Sequence, residues 1–573
     1  MSVISGSEII ANSLVQLGVT HIFGIVGIPV IEVAEACINR GIKFISFRNE
    51  QAATYAATAY GYLTGKPGVS LVVGGPGVVH AMAGIENANS NHFPLLLLAG
   101  SSETHQRGKG AFQELNQVAL LYPHTKFANQ PSTVKSVPYM IEKAYRTSYF
   151  GRPGSTYIDL PADIIQAKLD IKNHQSKESV VQKLVPPGLA PKTMGDPERI
   201  RRAVNVLKTA KSPLLIVGKG AAYGRAENII RQFQERTNIP FLPTPMGKGV
   251  IPDDNSLNVS AARSAALKNA DVILLLGARL NWILHYGDSP KFSDNVKIIQ
   301  VDSAAEELGN NSGNPELGIA GDIELVVHQI LNELTSHGNS SWRSPPLLKE
   351  IADTKASNQA KAEKVDSTVT DPIKYQAVYK TIRETFSETL PSSKEIIYVS
   401  EGANTMDISR SSFSLNSPRT RLDAGTNATM GVGLGYAIAA KAASPDSLVV
   451  AIEGDSAFGF SAVEVETAVR SQLPMIIYVM NNSGVYHGVD PTAYDNVDDK
   501  PLPSTALQLN TAYHTLAESL GAKGYLAKTL DEVRSATLEA IRSDNVSVIN
   551  VIIDSGKDKK LEFGWMASTK PKL

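Results

Sequence analysis

Two short apolar runs, each ending in an oxygen-bearing side chain, restrict this sequence more than any other feature. Leu448-Val449-Val450-Ala451-Ile452 leads into Glu453-Gly454-Asp455-Ser456, and Met475-Ile476-Ile477-Tyr478-Val479-Met480 leads into Asn481-Asn482. Their length and β-branched content predict buried parallel strands. The spacing leaves room for one crossover helix, so Asp455 and Asn482 emerge at the carboxyl edge of one sheet. With a backbone carbonyl nearby, at Gly484, they make a hard oxygen site of the kind Mg²⁺ takes when a ligand's phosphates complete its octahedron. Asp and Asn also serve as plain turn formers behind buried strands, and the motif alone leaves both readings open.

A chain of 573 residues is too long for a single core. Its hydrophobic content of 43% and charged content of 19% are those of a packed globular protein. A net charge of −1 supplies no field for nucleic acid or an anionic membrane surface. No apolar stretch approaches the roughly 18 residues of a membrane helix. Cys37 is the sole cysteine, which excludes an internal disulfide and any cysteine cluster. Met1 to Glu8 lacks the basic and apolar segments of a signal peptide. At the other end, Pro571-Lys572-Leu573 approaches the Ser-Lys-Leu peroxisomal address, with Pro571 where a small residue is preferred. It reads equally as a solvated basic tail; as an address, its partner is an import receptor.

Strand-like runs alternate with helical stretches throughout, which predicts an α/β protein of three consecutive domains with parallel sheets. Two polar, Pro- and Gly-bearing segments, about 171–196 and 336–371, read as surface connections. The domains expected are 1–180, 195–340 and 370–573. No close internal repeat is visible in the residues. In the middle block, Gly218-Lys219-Gly220-Ala221-Ala222-Tyr223-Gly224 follows a strand. Its spacing is one residue too long for a dinucleotide fingerprint, and the acidic residue expected further on is missing. A nucleotide bound without chemistry is still compatible, with Asp302 at a strand end facing a ribose; so is a domain that only packs.

The Asp455–Asn482 arrangement resembles the way thiamine-diphosphate enzymes hold Mg²⁺ and diphosphate, with Ser456 replacing the usual third glycine of Gly-Asp-Gly. Phe47-Arg48-Asn49-Glu50-Gln51-Ala52-Ala53 is similar to the superfamily's Arg-His-Glu signature, with Asn49 in place of histidine. Gly24-Ile25-Val26-Gly27-Ile28-Pro29 and Gly74-Gly75-Pro76-Gly77-Val78-Val79-His80 resemble its two glycine-proline loops, which bring backbone close to a ligand. Ile28 replaces a small residue of many relatives. Thr429-Met430-Gly431-Val432-Gly433-Leu434-Gly435 looks like the segment beside the thiazolium, its glycine amides free to approach phosphate. The resemblance implies a pyrimidine-binding domain, a central Rossmann-like domain and a diphosphate-binding domain, in that order. It implies that Glu50 hydrogen-bonds the aminopyrimidine, that Met430 wedges the cofactor into its bent form, and that Asp455, Asn482 and Gly484 hold the metal. Ile28, Gly75, Pro76, His80, Asn404, Gly431, Gly454 and Ser456 would line the cofactor. It also implies a homodimer or homotetramer with active sites between subunits.

Within the superfamily, four segments look closest to 2-hydroxyacyl-CoA lyases and oxalyl-CoA decarboxylases. They start at Ser400, Gly277, Val301 and Asn482, and they include Asn404, Arg279, Asp302 and Tyr486. In those families the middle domain can hold ADP, which Asp302 and Arg279 would serve. Both act on CoA thioesters, releasing formyl-CoA with an aldehyde in one case and with CO₂ in the other. The decarboxylases carry Tyr-Glu where this chain has Phe112-Gln113, so the lyase is the expectation and the decarboxylase its alternative. Gln113 would hydrogen-bond the substrate's 2-hydroxyl, and Tyr486 would orient the thioester or return the last proton. An acetolactate-synthase-like enzyme and a catalytically silent, nucleotide-binding relative are the more distant readings.

Overall fold

In the computed structural model, residues 3–170, 183–335, 342–496 and 501–556 are described. The tail at Pro571-Lys572-Leu573 lies outside them, as does part of each connection. Three parallel sheets follow one another along the chain. The first runs, in spatial order, Lys43–Ser46, His21–Gly24, Gly68–Val72, Leu95–Ser101, Ser155–Pro161 and Phe127–Asn129. The central sheet runs Phe241–Pro243, Pro213–Val217, Val272–Leu276, Lys297–Asp302 and Gly318–Ala320. The last runs Arg421–Asp423, Ile396–Glu401, Leu448–Gly454, Ile476–Asn481, Ser547–Ile552 and Lys523–Ala527.

Numbered within each sheet, the first and last share the order 2-1-3-4-6-5, and the central sheet follows 2-1-3-4-5; Val3–Ser5 and Lys168–Asp170 pair separately as an antiparallel two-stranded sheet. The repeat that the residues conceal is therefore one of topology. In each sheet the first and third strands are neighbours whose connections leave in opposite directions, opening a crevice at their carboxyl ends. The third strand of the first sheet is buried on both faces, every residue of Gly68–Val72 being buried, and so is the next, with Leu95, Leu96, Leu97 and Leu98 each 0% exposed.

The helix Glu50–Thr64 is opened by Asn49, whose side chain accepts from the Gln51 amide at 2.7 Å, and closed by Gly65 at φ 72°. It packs against Gly433–Ala443 of the last domain, a helix buried nearly all round. Gly435 permits the contact, since a Cβ there would stand 2.7 Å from the Ala52 carbonyl oxygen. Buried Asn87 ties the two domains by donating to Tyr436 Oη at 2.7 Å and Thr58 Oγ1 at 3.0 Å. The second connection is not all loop. Lys349–Asp366 forms a helix that buries only Ile351, because its Ala, Lys and Glu residues favour helix without drawing an amphipathic pattern. No helix of the described residues is long and apolar enough to cross a membrane.

Candidate active site

At the crevice of the last sheet, Asp455 opens the helix Asp455–Ser461 immediately after its strand. Its Oδ1 accepts from the Ser456 amide at 2.9 Å and its Oδ2 from the Gly484 amide at 3.2 Å. Asn482 Oδ1 accepts from the same Gly484 amide at 3.2 Å, so both side-chain oxygens converge on one point. The Tyr486 carbonyl is held by Asn404 Nδ2 at 2.8 Å and Asn482 Nδ2 at 3.4 Å, which brings Asn404 and Tyr486 to the same edge. Among the described residues no cluster of three or more His, Cys, Asp or Glu could hold a metal. An ion at this edge would therefore rest on Asp455 with amide and backbone oxygens, the donor set that suits Mg²⁺.

Met430 stands half-buried beside Gly431, which has φ 87°. The Gly431 and Gly433 amides are not free for a phosphate. They donate to the two oxygens of Glu401, Gly433 at 2.5 Å. This corrects the expectation that those amides face the ligand. Glu401 ends the first strand of its sheet and pairs in register with Glu453 of the third strand. Both carboxyls are 0% exposed. Burial pushes Glu401 up to about 7, partly offset by its two amides, and burial and the Glu401 charge push Glu453 well up. The sequence signal was an acid at the end of each strand-like run, directly before a glycine.

At the crevice of the first sheet, Glu50 Oε2 lies 3.0 Å from His80 Nδ1, with the Glu50 side chain 13% exposed. Gly77 leaves room there, since a Cβ on it would come within 3.4 Å of Glu50 Oε1. Gly75, at φ 54°, turns the chain into the helix Pro76–Asn91. A Cβ on Gly75 would stand 2.6 Å from the Gln113 carbonyl oxygen, so Gln113 adjoins this turn, itself at φ 54°. Gln117, which no sequence pattern marked, anchors the turn: its Oε1 accepts from the Gly75 amide at 2.6 Å and its Nε2 donates to Asp159 at 2.6 Å. Glu464 of the last domain accepts from the Arg48 amide at 3.2 Å, fixing the strand end two residues before Glu50. Ile28, 70% exposed, and Phe112, 72% exposed, leave this edge apolar and uncovered.

The central crevice opens into a cavity of about 450 Å³. Asp302 and Arg279 both line it, as do Lys219, Arg152 and Lys192, which the sequence reading did not single out. Lys219 Nζ donates to Asn91 Oδ1 at 3.1 Å, and burial followed by the Arg279 charge lowers it to about 7. Burial raises the Asp302 carboxyl, which accepts from the Ala304 amide at 2.9 Å. Arg279 also reaches both other domains, donating to the Ser90 carbonyl at 2.5 Å and Thr426 Oγ1 at 3.0 Å.

Asp455 has a readable pH consequence. Burial pushes its carboxyl from 3.8 up to about 7. A carboxyl raised on folding contributes stability that is fully present below its unfolded value and lost as pH rises through the folded one. Urea unfolding of the apoprotein should therefore show an Asp455→Asn variant losing less stability than wild type from about pH 4 to about pH 7, by up to roughly 4 kcal/mol. Parallel pH slopes for the two proteins would contradict it.

Comparison with known proteins agrees with this geometry. Three family models match in order: thiamine pyrophosphate enzyme, N-terminal TPP binding domain, over residues 4–120; the central domain over 200–330; and the C-terminal TPP binding domain over 401–551. The chain is 45% identical to 2-hydroxyacyl-CoA lyase of Saccharomyces cerevisiae, covering 98% of both chains. It is 44% identical to 2-hydroxyacyl-CoA lyase 1 of Mus musculus, covering 98% of this chain and 96% of the relative. Oxalyl-CoA decarboxylase of Escherichia coli K12 is 37% identical, with 99% and 98% covered. With three matched domains in the same order as three parallel sheets, the chain belongs to the thiamine pyrophosphate enzyme family.

Proposed function

We propose that this enzyme is a 2-hydroxyacyl-CoA lyase, cleaving the C1–C2 bond of a 2-hydroxyacyl-CoA to formyl-CoA and an aldehyde. The observation that carries the reading is the neutral Phe112-Gln113 pair, with Gln113 against the Gly75 turn that opens the helix of His80, the residue in contact with Glu50, and Phe112 exposed beside it. The higher identity to relatives named lyases supports it. Bound thiamine diphosphate supplies a nucleophilic carbon and an electron sink for the bond beside a thioester carbonyl. Glu50 would hydrogen-bond the aminopyrimidine and hold the proton that keeps its amine basic. Asp455, Asn482 and the Gly484 carbonyl would hold Mg²⁺, and Met430 would pack against the bound cofactor. Gln113 binds the 2-hydroxyl as donor or acceptor, and Tyr486 orients the thioester or returns the last proton.

The reading takes Glu50 and Asp455 from different subunits of a homodimer or homotetramer. In support, apolar side chains stand uncovered at both edges: Ile28, Val79 and Phe112 near Glu50, and Phe460, Val463 and Val485 near Asp455. The central cavity supports a second element, an adenine nucleotide bound without chemistry. Its basic groups suit phosphates, and Asp302 at the strand end suits a ribose.

Product analysis with Mg²⁺ and thiamine diphosphate tests the activity. A 2-hydroxyacyl-CoA should give aldehyde and formyl-CoA, while oxalyl-CoA gives little CO₂. Formyl-CoA and CO₂ from oxalyl-CoA alone would make the enzyme a decarboxylase. For the cavity, calorimetric titration with ADP should show Asp302→Ala weakening binding by about tenfold or more, with thiamine diphosphate affinity unchanged. Equal ADP affinity in both proteins would remove Asp302 from the site.

A further inference from the structure

The exit of the loop that carries Met430 is held from beneath by a buried carboxylate. Glu401 Oε1 accepts from the Gly431 amide and Oε2 from the Gly433 amide, the latter at 2.5 Å. The two donors bracket Val432, which is 0% exposed, so the chain is pinned immediately after Met430. Upstream, the Thr429 amide donates to the Ala424 carbonyl at 3.2 Å and the Gly425 amide to Asp423 Oδ1 at 3.2 Å. Asn91, accepting from the Thr426 amide at 3.0 Å, and Trp282, donating to the Thr426 carbonyl at 2.7 Å, also hold the loop's entry, whereas Glu401 ties its exit to the sheet. Between them Ala428 stands at φ 50°, a conformation uncommon for a residue with a Cβ, and such a path persists when its surroundings over-determine it.

A carboxylate is suited to this place because it is acceptor-only at both oxygens, so two converging N–H groups are satisfied together. An amide side chain would aim its NH₂ at one of them. The site also admits no bulk. A Cβ on Gly433 would lie 2.4 Å from Glu453 Oε1 and 2.8 Å from Glu401 Oε2. The same glycine opens the helix Gly433–Ala443, which packs on Glu50–Thr64. The carboxylate therefore fixes the Met430 loop and the start of the interdomain helix together.

We infer that Glu401 is a positioning residue for the cofactor: by holding the Gly431 and Gly433 amides, it sets where Met430 stands before any ligand arrives. This rests on the thiamine diphosphate reading of the Met430 loop. The loop is then ordered in the apoprotein, and binding does not have to order it.

Hydrogen–deuterium exchange of the apoprotein, read by mass spectrometry on peptides spanning 424–436, tests the hold without any cofactor. Calorimetric titration of thiamine diphosphate with Mg²⁺ tests its consequence. Glu401→Gln should speed exchange at Gly431 and Gly433 and weaken cofactor affinity, each by about tenfold or more. Peptides of the first and central sheets should exchange as in wild type. Glu453→Gln, which keeps a neutral neighbour beside Glu401, should leave both readouts within about twofold. If E401Q does not fold, Glu401→Asp decides by the same readouts, because one methylene less leaves the carboxylate reach for only one of the two amides. Unchanged exchange and affinity in the folded variant would overturn the positioning role, as would acceleration spread evenly over the last domain. Failure of wild type to bind thiamine diphosphate would instead fell the functional reading on which the role rests.

Discussion

Every functional feature of this chain depends on one constraint: a parallel sheet covered on both faces can present polar chemistry only where its strands end. Right-handed crossovers fill the faces with helices, and reversal of winding between the first and third strands leaves one crevice per sheet. The chain builds that crevice three times. Glu50 and the Gly75 turn stand at the first, the Asp302–Arg279 cavity at the second, and Asp455, Asn482 and Glu401 at the third. The fold therefore accounts for why groups far apart in sequence stand at equivalent strand ends.

Burial sharpens the chemistry at the last crevice. Asp455, Glu401 and Glu453 sit where desolvation opposes charge, and each is raised for that reason. What distinguishes them is the supply of backbone N–H groups. Asp455 and Glu401 each accept from two amides, whereas neither oxygen of Glu453 meets a donor. A carboxyl supplied with donors can carry charge in a dry site, and one without them has reason to stay neutral. Two adjacent glutamates thereby take different parts.

The repeating architecture was legible because buried strands write themselves as apolar runs. Leu448 to Ile452 and Val272 to Leu276 needed no further context. So were residues whose chemistry follows a strand end within a motif: Glu50, Asp455 and Asn482 stand at the crevices where their motifs put them. Partners chosen by three-dimensional convergence were not legible. Gln117 reaches Gly75 across 42 positions, and Arg48 meets Glu464 across 416. Backbone satisfaction was hidden as well, since the glycines near Met430 suggested free amides that Glu401 in fact occupies. The helix Lys349–Asp366 escaped notice because it buries almost nothing, and periodicity reports burial rather than helicity.

The central claim is that Glu50 and Asp455 complete one site only when two subunits meet. Subunit complementation tests it directly. Glu50→Gln and Asp455→Asn homodimers should each be inactive with 2-hydroxyacyl-CoA. Random reassortment of equal amounts should restore about one quarter of wild-type turnover, because half the dimers are mixed and each mixed dimer holds one intact site. Activity that stays at the level of the parents after verified subunit exchange would mean that each chain builds its site alone.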